Sequence, residues 1–164
     1  MKKQNGQVNK MSGAMGVAGR YRFTTYKAGT KEVIRQTPWI KNKIVSSSGY
    51  GLNIIARILS GDTTYGLTIT QAKIGDDNTP PTLADTGLGN AVLSNIPVAN
   101  QSVSNSVVTL LFFMADIDLP NGTYEEFGIF CTNQLFARSI ISPAYTKASN
   151  EDTQAEYELT FTSL

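Results

Sequence analysis

Three acids, Asp76, Asp77 and Asp85, fall within the loop-like stretch AKIGDDNTPPTLADTGLGN at 72–90. Carboxylates arrayed along a turn are what a hard cation such as calcium requires. The spacing argues against that chemistry. An EF-hand loop takes ligands at alternate positions around a central glycine and closes on a glutamate. Here two acids are adjacent, Pro80 and Pro81 stiffen the middle, and no glutamate closes the loop. A scaffold reading fits better: Gly75 and the Asp76-Asp77-Asn78 cluster tolerate left-handed backbone, the prolines impose an extended course, and Asp85 can cap a short turn ending near Leu88-Gly89.

The other reactive types are sparse. The chain has no histidine, which removes the usual general base and the commonest metal ligand together. Cys131 is the only cysteine; inside an apolar run it reads as a small inert hydrophobe that forms no internal disulfide. Glu125-Glu126 and Glu156/Glu158 are the available carboxylate pairs for glycoside hydrolysis. Without several aromatics to hold a sugar, they read as solvated strand faces. No zinc spacing, phosphate-binding glycine loop or Gly-x-Ser-x-Gly elbow occurs. The expectation is a protein without catalytic residues, metal or cofactor.

The elements that position these residues are mostly strands. A chain of 164 residues rich in Gly, Ser, Thr and Asn suits one domain of short strands joined by turns. YRFTTYK, a turn at Ala28-Gly29-Thr30, and KEVIRQT predict a β-hairpin. TPWIKNKIV continues extended past Pro38, and its Trp39 reads as a core filler or, alternatively, as an anchor at an interface. SSSGYGLNIIARILSGD predicts one helix near 48–60, with Ser46 to Ser48 as cap candidates, Leu52, Ile55, Ala56 and Leu59 on one apolar face that Ile54 and Ile58 widen, and Gly61 as the left-handed stop. Strands are predicted at 68–74, 91–99, 106–116, 124–131, 134–142 and 156–164, with turns at Pro120-Asn121-Gly122 and Thr132-Asn133. The expected fold is all-β with one helix: an antiparallel β-sandwich over 21–164 carrying an edge helix, preceded by a β-hairpin and by an extended arm over 1–20.

Charge is divided along the chain. Residues 1–43 hold ten basic side chains against one acid, or +9, and residues 44–164 hold four against twelve acids, or −8. A basic arm on an acidic body suggests that the arm of one copy lies on the body of another, steered by complementary potentials. The contact residues would be Lys2, Lys3, Lys10, Met11, Met15, Val17, Arg20 and Arg22. Residues 1–18 lack any sustained period, so order there is expected only in an assembly. No run of about eighteen apolar residues marks a membrane span, and the basic start lacks a signal peptide's apolar stretch.

Lys73-Ile74-Gly75 through Pro81 to Asp85-Thr86-Gly87-Leu88-Gly89 resembles the "IG-x-G-x-x-x-P-x-x-x-DT-x-LG" segment of small virion proteins of tailed bacteriophages, often labelled tail-fibre or minor structural proteins. EVIRQTPWIKNKIVSSSGYGLNIIARIL is similar to the charged strand, Trp, Asn and Gly-Leu-Asn helix of that family, and EEFGIFCTNQLFARSIISPAYTK to its "E-x-GLF … L-x-AR" close. The resemblance covers most of 20–164, with Asp77 standing where the family has its second glycine. It implies a structural role in the virion, in the tail, neck or fibre-attachment region, with capsid decoration on the head as the alternative; the basic arm's charge offers nucleic-acid binding as a weaker one. Its implied partners are further copies of the chain in a homo-oligomer and other virion proteins, assembled in the cytoplasm of the bacterial host. Gly75, Asp77, Pro80, Pro81, Asp85 and Gly89 are its structural loop residues, and it brings no catalytic residue.

Overall fold

The computed structural model describes residues 15–163. In chain order these form β1 (Met15–Lys27), β2 (Val33–Gln36), β3 (Ile40–Lys41), β4 (Lys43–Ile44), α1 (Leu52–Leu59), β5 (Gln71–Gly75), β6 (Ala91–Ser104), β7 (Val107–Met114), β8 (Gly122–Cys131), β9 (Gln134–Lys147) and β10 (Glu151–Ser163). All pairings are antiparallel, in the order β2-β1-β10-β7-β6-β5-β8-β9-β4. The sheet curls so that its two halves face each other as a β-sandwich. β6 belongs to both halves: Ala91 to Pro97 pair with β5 and Val98 to Ser104 with β7. Register shifts and a positive φ of 60° at Asn95 bend it between the layers, as a bulged strand does at a sandwich corner. Opposite β6, β3 pairs with β1 and β4 with β9, so five residues of chain bridge the other side.

Alternation places aromatics between the layers. Tyr21 and Phe23 of β1 meet Phe127 of β8 at ring-centroid distances of 4.8 and 5.4 Å, and Phe23 stacks on Tyr145 of β9 at 4.7 Å. Such pairs add about 0.5–1.5 kcal/mol each beyond their buried area. The phenol groups are partnered: Tyr21 with Ser139, Tyr145 with Thr25 and Thr153, Tyr157 with Asn42.

The hairpin at Ala28-Gly29-Thr30 forms as expected, with β1 pairing β2. The arm boundary shifts. Met15 to Arg20, read as arm, are the first half of β1 and pair with Ser163 to Glu158 of β10. Lys2, Lys3, Lys10 and Met11 lie outside the described residues. The helix stands where its period placed it, but only the Ile54, Ile55 and Ile58 part of its broad apolar face turns inward. Ile54 is enclosed, Ile55 and Ile58 pack on the core, and Leu52 and Leu59 face outward. Gly61, at φ 84°, ends α1 with the paired bonds Gly61 N–H to Ile58 O and Asp62 N–H to Arg57 O, a Schellman stop. The serines do not cap it. Gly51 stands at the N-cap without a side-chain bond, and the Leu52 N–H donates to Val45 O.

Candidate functional site

The 72–90 loop is organised around a residue far along the chain. Arg138 of β9 is only 4% exposed at its side chain and reaches three carboxylates. Its Nε donates to Glu126 at 2.8 Å, Nη1 to Asp85 at 2.9 Å, and Nη2 to Asp77 at 3.0 Å and to the Thr79 carbonyl at 3.1 Å. The place a cation would take between these acids is filled by the guanidinium, whose planar fork of donors suits several carboxylates at once. Among the described residues no group of three or more His, Cys, Asp or Glu is placed to hold a metal.

Glu126, expected on a solvated face, is fully buried. Neighbouring backbone donors explain how that charge is held: its oxygens also accept the Gly89 N–H at 3.0 Å and the Asn90 N–H at 2.7 Å. Asp85 closes a turn backwards onto Thr82, accepting from its Oγ1 at 2.6 Å and its N–H at 3.1 Å. Burial works against the Asp85 carboxylate, but the Thr82 bonds and Arg138 outweigh it and hold its pKa below the ordinary 3.8. The expected left-handed backbone at 75–78 does not occur. Gly75 and Gly89 are needed for room instead, since a side chain at Gly75 would meet Asn90 O and one at Gly89 the Asp77 carboxylate. The proline stretch is tied down by Lys43 Nζ on Pro81 O at 2.7 Å, while Pro80 itself is exposed.

On the outer face of β1, the residues read as a partner-binding arm bind their own chain. Arg20 Nε donates to Glu158 at 2.7 Å and Arg22 Nε to Glu156 at 2.8 Å. Both guanidinium groups lie over the Trp39 ring, 4.4 and 4.5 Å from its centroid. Trp39 is therefore no core filler: it is half-buried on the surface, because two cations offer it a stacking surface. Val17 packs against the core edge and Met15 is 60% exposed. Glu156 and Glu158 are taken up by these pairs.

Two further buried groups differ in how far the sequence reveals them. Cys131 is buried and lies 3.3 Å from Leu67 O; burial pushes its thiol up to about 12, which makes it the inert hydrophobe the sequence suggested. Lys147, unremarked in the sequence, is buried with its Nζ on Asp116 at 2.6 Å, Asn121 at 3.1 Å and Ala148 O at 3.3 Å. It ties the β7–β8 and β9–β10 connections together, and its hydrogen bond holds the Asp116 carboxyl below the usual range. Nothing short of tertiary geometry distinguishes such a lysine from a surface one.

The ion clusters can clamp loops and strands. Their buried carboxylates and cations are all committed to one another. No family model, curated protein or solved structure matches the chain.

Proposed function

We propose that the chain is a non-enzymatic structural component of a tailed-bacteriophage virion, in the tail, neck or fibre-attachment region, and that it assembles through its N-terminal arm. One observation carries this reading. Two of the segments that bear the resemblance lie apart in sequence yet share a single ion cluster: Asp77, Asp85 and Gly89 from the loop, Glu126 from "E-x-GLF", and Arg138 from "L-x-AR". Motif residues of the loop and of the EEFGIF…AR segment, two of the three matching stretches, converge on one buried clamp and behave as parts of one scaffold, which supports reading those two matches together. The clamp fixes a loop and commits the carboxylates of Asp77, Asp85 and Glu126 to Arg138, which suits a building block better than a catalyst.

The nucleic-acid reading loses ground on charge. Arg20, Arg22 and Arg35 are each paired with a glutamate of β10, so those cations are not free to neutralise phosphates. Immunogold labelling with quantitative densitometry of purified particles tests the proposal. Label on the tail or neck, at a few to a few dozen copies per particle, is expected. Hundreds of copies on the head would favour decoration instead, and absence from particles would overturn both.

A further inference from the structure

We propose that the rim of the sandwich beside α1 is the receptor for the N-terminal segment 8–14 of a neighbouring copy, with Val8 and Met11 entering it. This rests on the reading that the arm mediates assembly, and it names the surface on which the arm lands.

Side chains directly opposite in an antiparallel ladder share a face. The inner face that carries Tyr21 and Tyr157 continues through Val17 opposite Phe161, Leu159 opposite Val108, and Val108 opposite Val103. Along that series cover is lost. Leu159 is buried, Val17, Val108 and Phe161 are partly buried, and Met15 and Val103 are 60% and 72% exposed. The first sheet thus outruns the second and presents an apolar ledge across four strands. Over the ledge, Ile55 of α1, Leu67, Ile69 and Phe136 leave a cavity of about 270 Å³ against Val108 and Phe161, in which Thr68 and Gln101 are the only polar residues. Leu59, one turn on from Ile55 in the same helix, is 79% exposed.

The occupant is argued from where the described chain starts. It enters on the ledge itself, at Met15 opposite Ser163. Fourteen residues precede it, with no acid among them and Met1, Val8 and Met11 as the only large apolar side chains. At no more than about 3.6 Å per residue, the seven residues from Val8 to Ala14 reach at most about 25 Å beyond Met15, more than the ~15 Å radius of gyration of a domain this size. Methionine, unbranched and polarisable, adapts to an irregular apolar cavity of this kind.

The test uses the full chain with single cysteines. Cys131 is the only native thiol and is buried, so it does not compete. Met11→Cys copies are mixed with Val103→Cys copies under mild oxidation, and with copies carrying Val92→Cys, an exposed valine at the far end of β6, as a control. A disulfide requires Cα atoms within about 7 Å, so the Met11→Cys/Val103→Cys dimer is expected at a yield at least roughly tenfold above the control. Equal yields from both valines would overturn the receptor assignment. A Met11→Cys/Val103→Cys double variant that closes within one chain at high dilution, while the mixture gives no dimer, would overturn the neighbour as the source. Deleting 1–14 and following incorporation into particles separates the two levels. Lost incorporation without the crosslink sinks the receptor alone, and unchanged incorporation sinks the assembly reading on which it rests.

Discussion

Arg138 is the residue whose loss should be felt most. Replacing it with alanine leaves Glu126 buried with only two backbone donors and frees Asp77 and Asp85 to repel each other. Breaking a buried pair from one side costs about 3–5 kcal/mol, which in a chain this long lowers the melting temperature by roughly 6–20 °C. Asp77→Asn, at a partner 26% exposed, should cost much less. Differential scanning calorimetry of the two variants checks the order, and a smaller loss for Arg138→Ala than for Asp77→Asn would contradict the clamp. Trp39 gives a second expectation at this scale. Half-buried under Arg20 and Arg22 at the surface, its fluorescence should be quenched by acrylamide in the native state to a degree between that of the unfolded chain and that of an enclosed indole. A core tryptophan would be shielded. The sequence made the acidic loop legible as scaffold because two adjacent acids and two prolines are poor calcium geometry. It could not reveal the position of Trp39, since an indole over two arginines and an indole in a core occupy the same kind of strand-flanking position in sequence.

α1 shows which parts of an element are local and which are not. Its period and its glycine stop are local properties, and both were readable. Its start was not, because the amides of the first turn are satisfied by distant backbone: Gly51 N–H by Leu135 O at 3.1 Å and Leu52 N–H by Val45 O at 2.9 Å. Those partners exist only once β4 and β9 have met. The two ends therefore respond differently to one methyl group. Gly61→Ala, at φ 84° with open space around it, should cost about 1–2 kcal/mol, the penalty of a left-handed conformation. Gly51→Ala adds to a φ of 49° a Cβ directed into the Val45 carbonyl, and should cost clearly more. Urea denaturation midpoints of the two variants check this, with equal losses contradicting the close approach at Gly51.

Over the whole molecule, the sequence's division into a basic and an acidic part becomes pairing across one ladder. β1 and β10 lie side by side, with Arg20 on Glu158, Arg22 on Glu156 and, from β2, Arg35 on Glu151. The Arg20 and Arg22 pairs are partly exposed, and pairs of that type contribute about 0–1 kcal/mol each, so moderate salt should alter the melting temperature little through them. Acid should matter more. Glu151 is held below its ordinary 4.5, chiefly by its hydrogen bond from Arg35, and Asp85 and Asp116 are held below 3.8. Carboxyls depressed in the folded state contribute stability that is full above the unfolded values and is lost as the pH falls through the folded ones. The melting temperature should be level from about pH 7 to 5 and decline below about pH 4.5; a decline that begins near pH 6 would point to other groups. The β1–β10 ladder also has a consequence in time. Arg20 and Glu158 are 138 positions apart, and at about 5–20 residues per second a ribosome needs roughly 7–28 s to make the distance between them. For that interval the first strand has emerged without the last, and the hairpin with β2 is its available shelter. Its alternate arginines keep one face wet until the glutamates that will neutralise them have been synthesised.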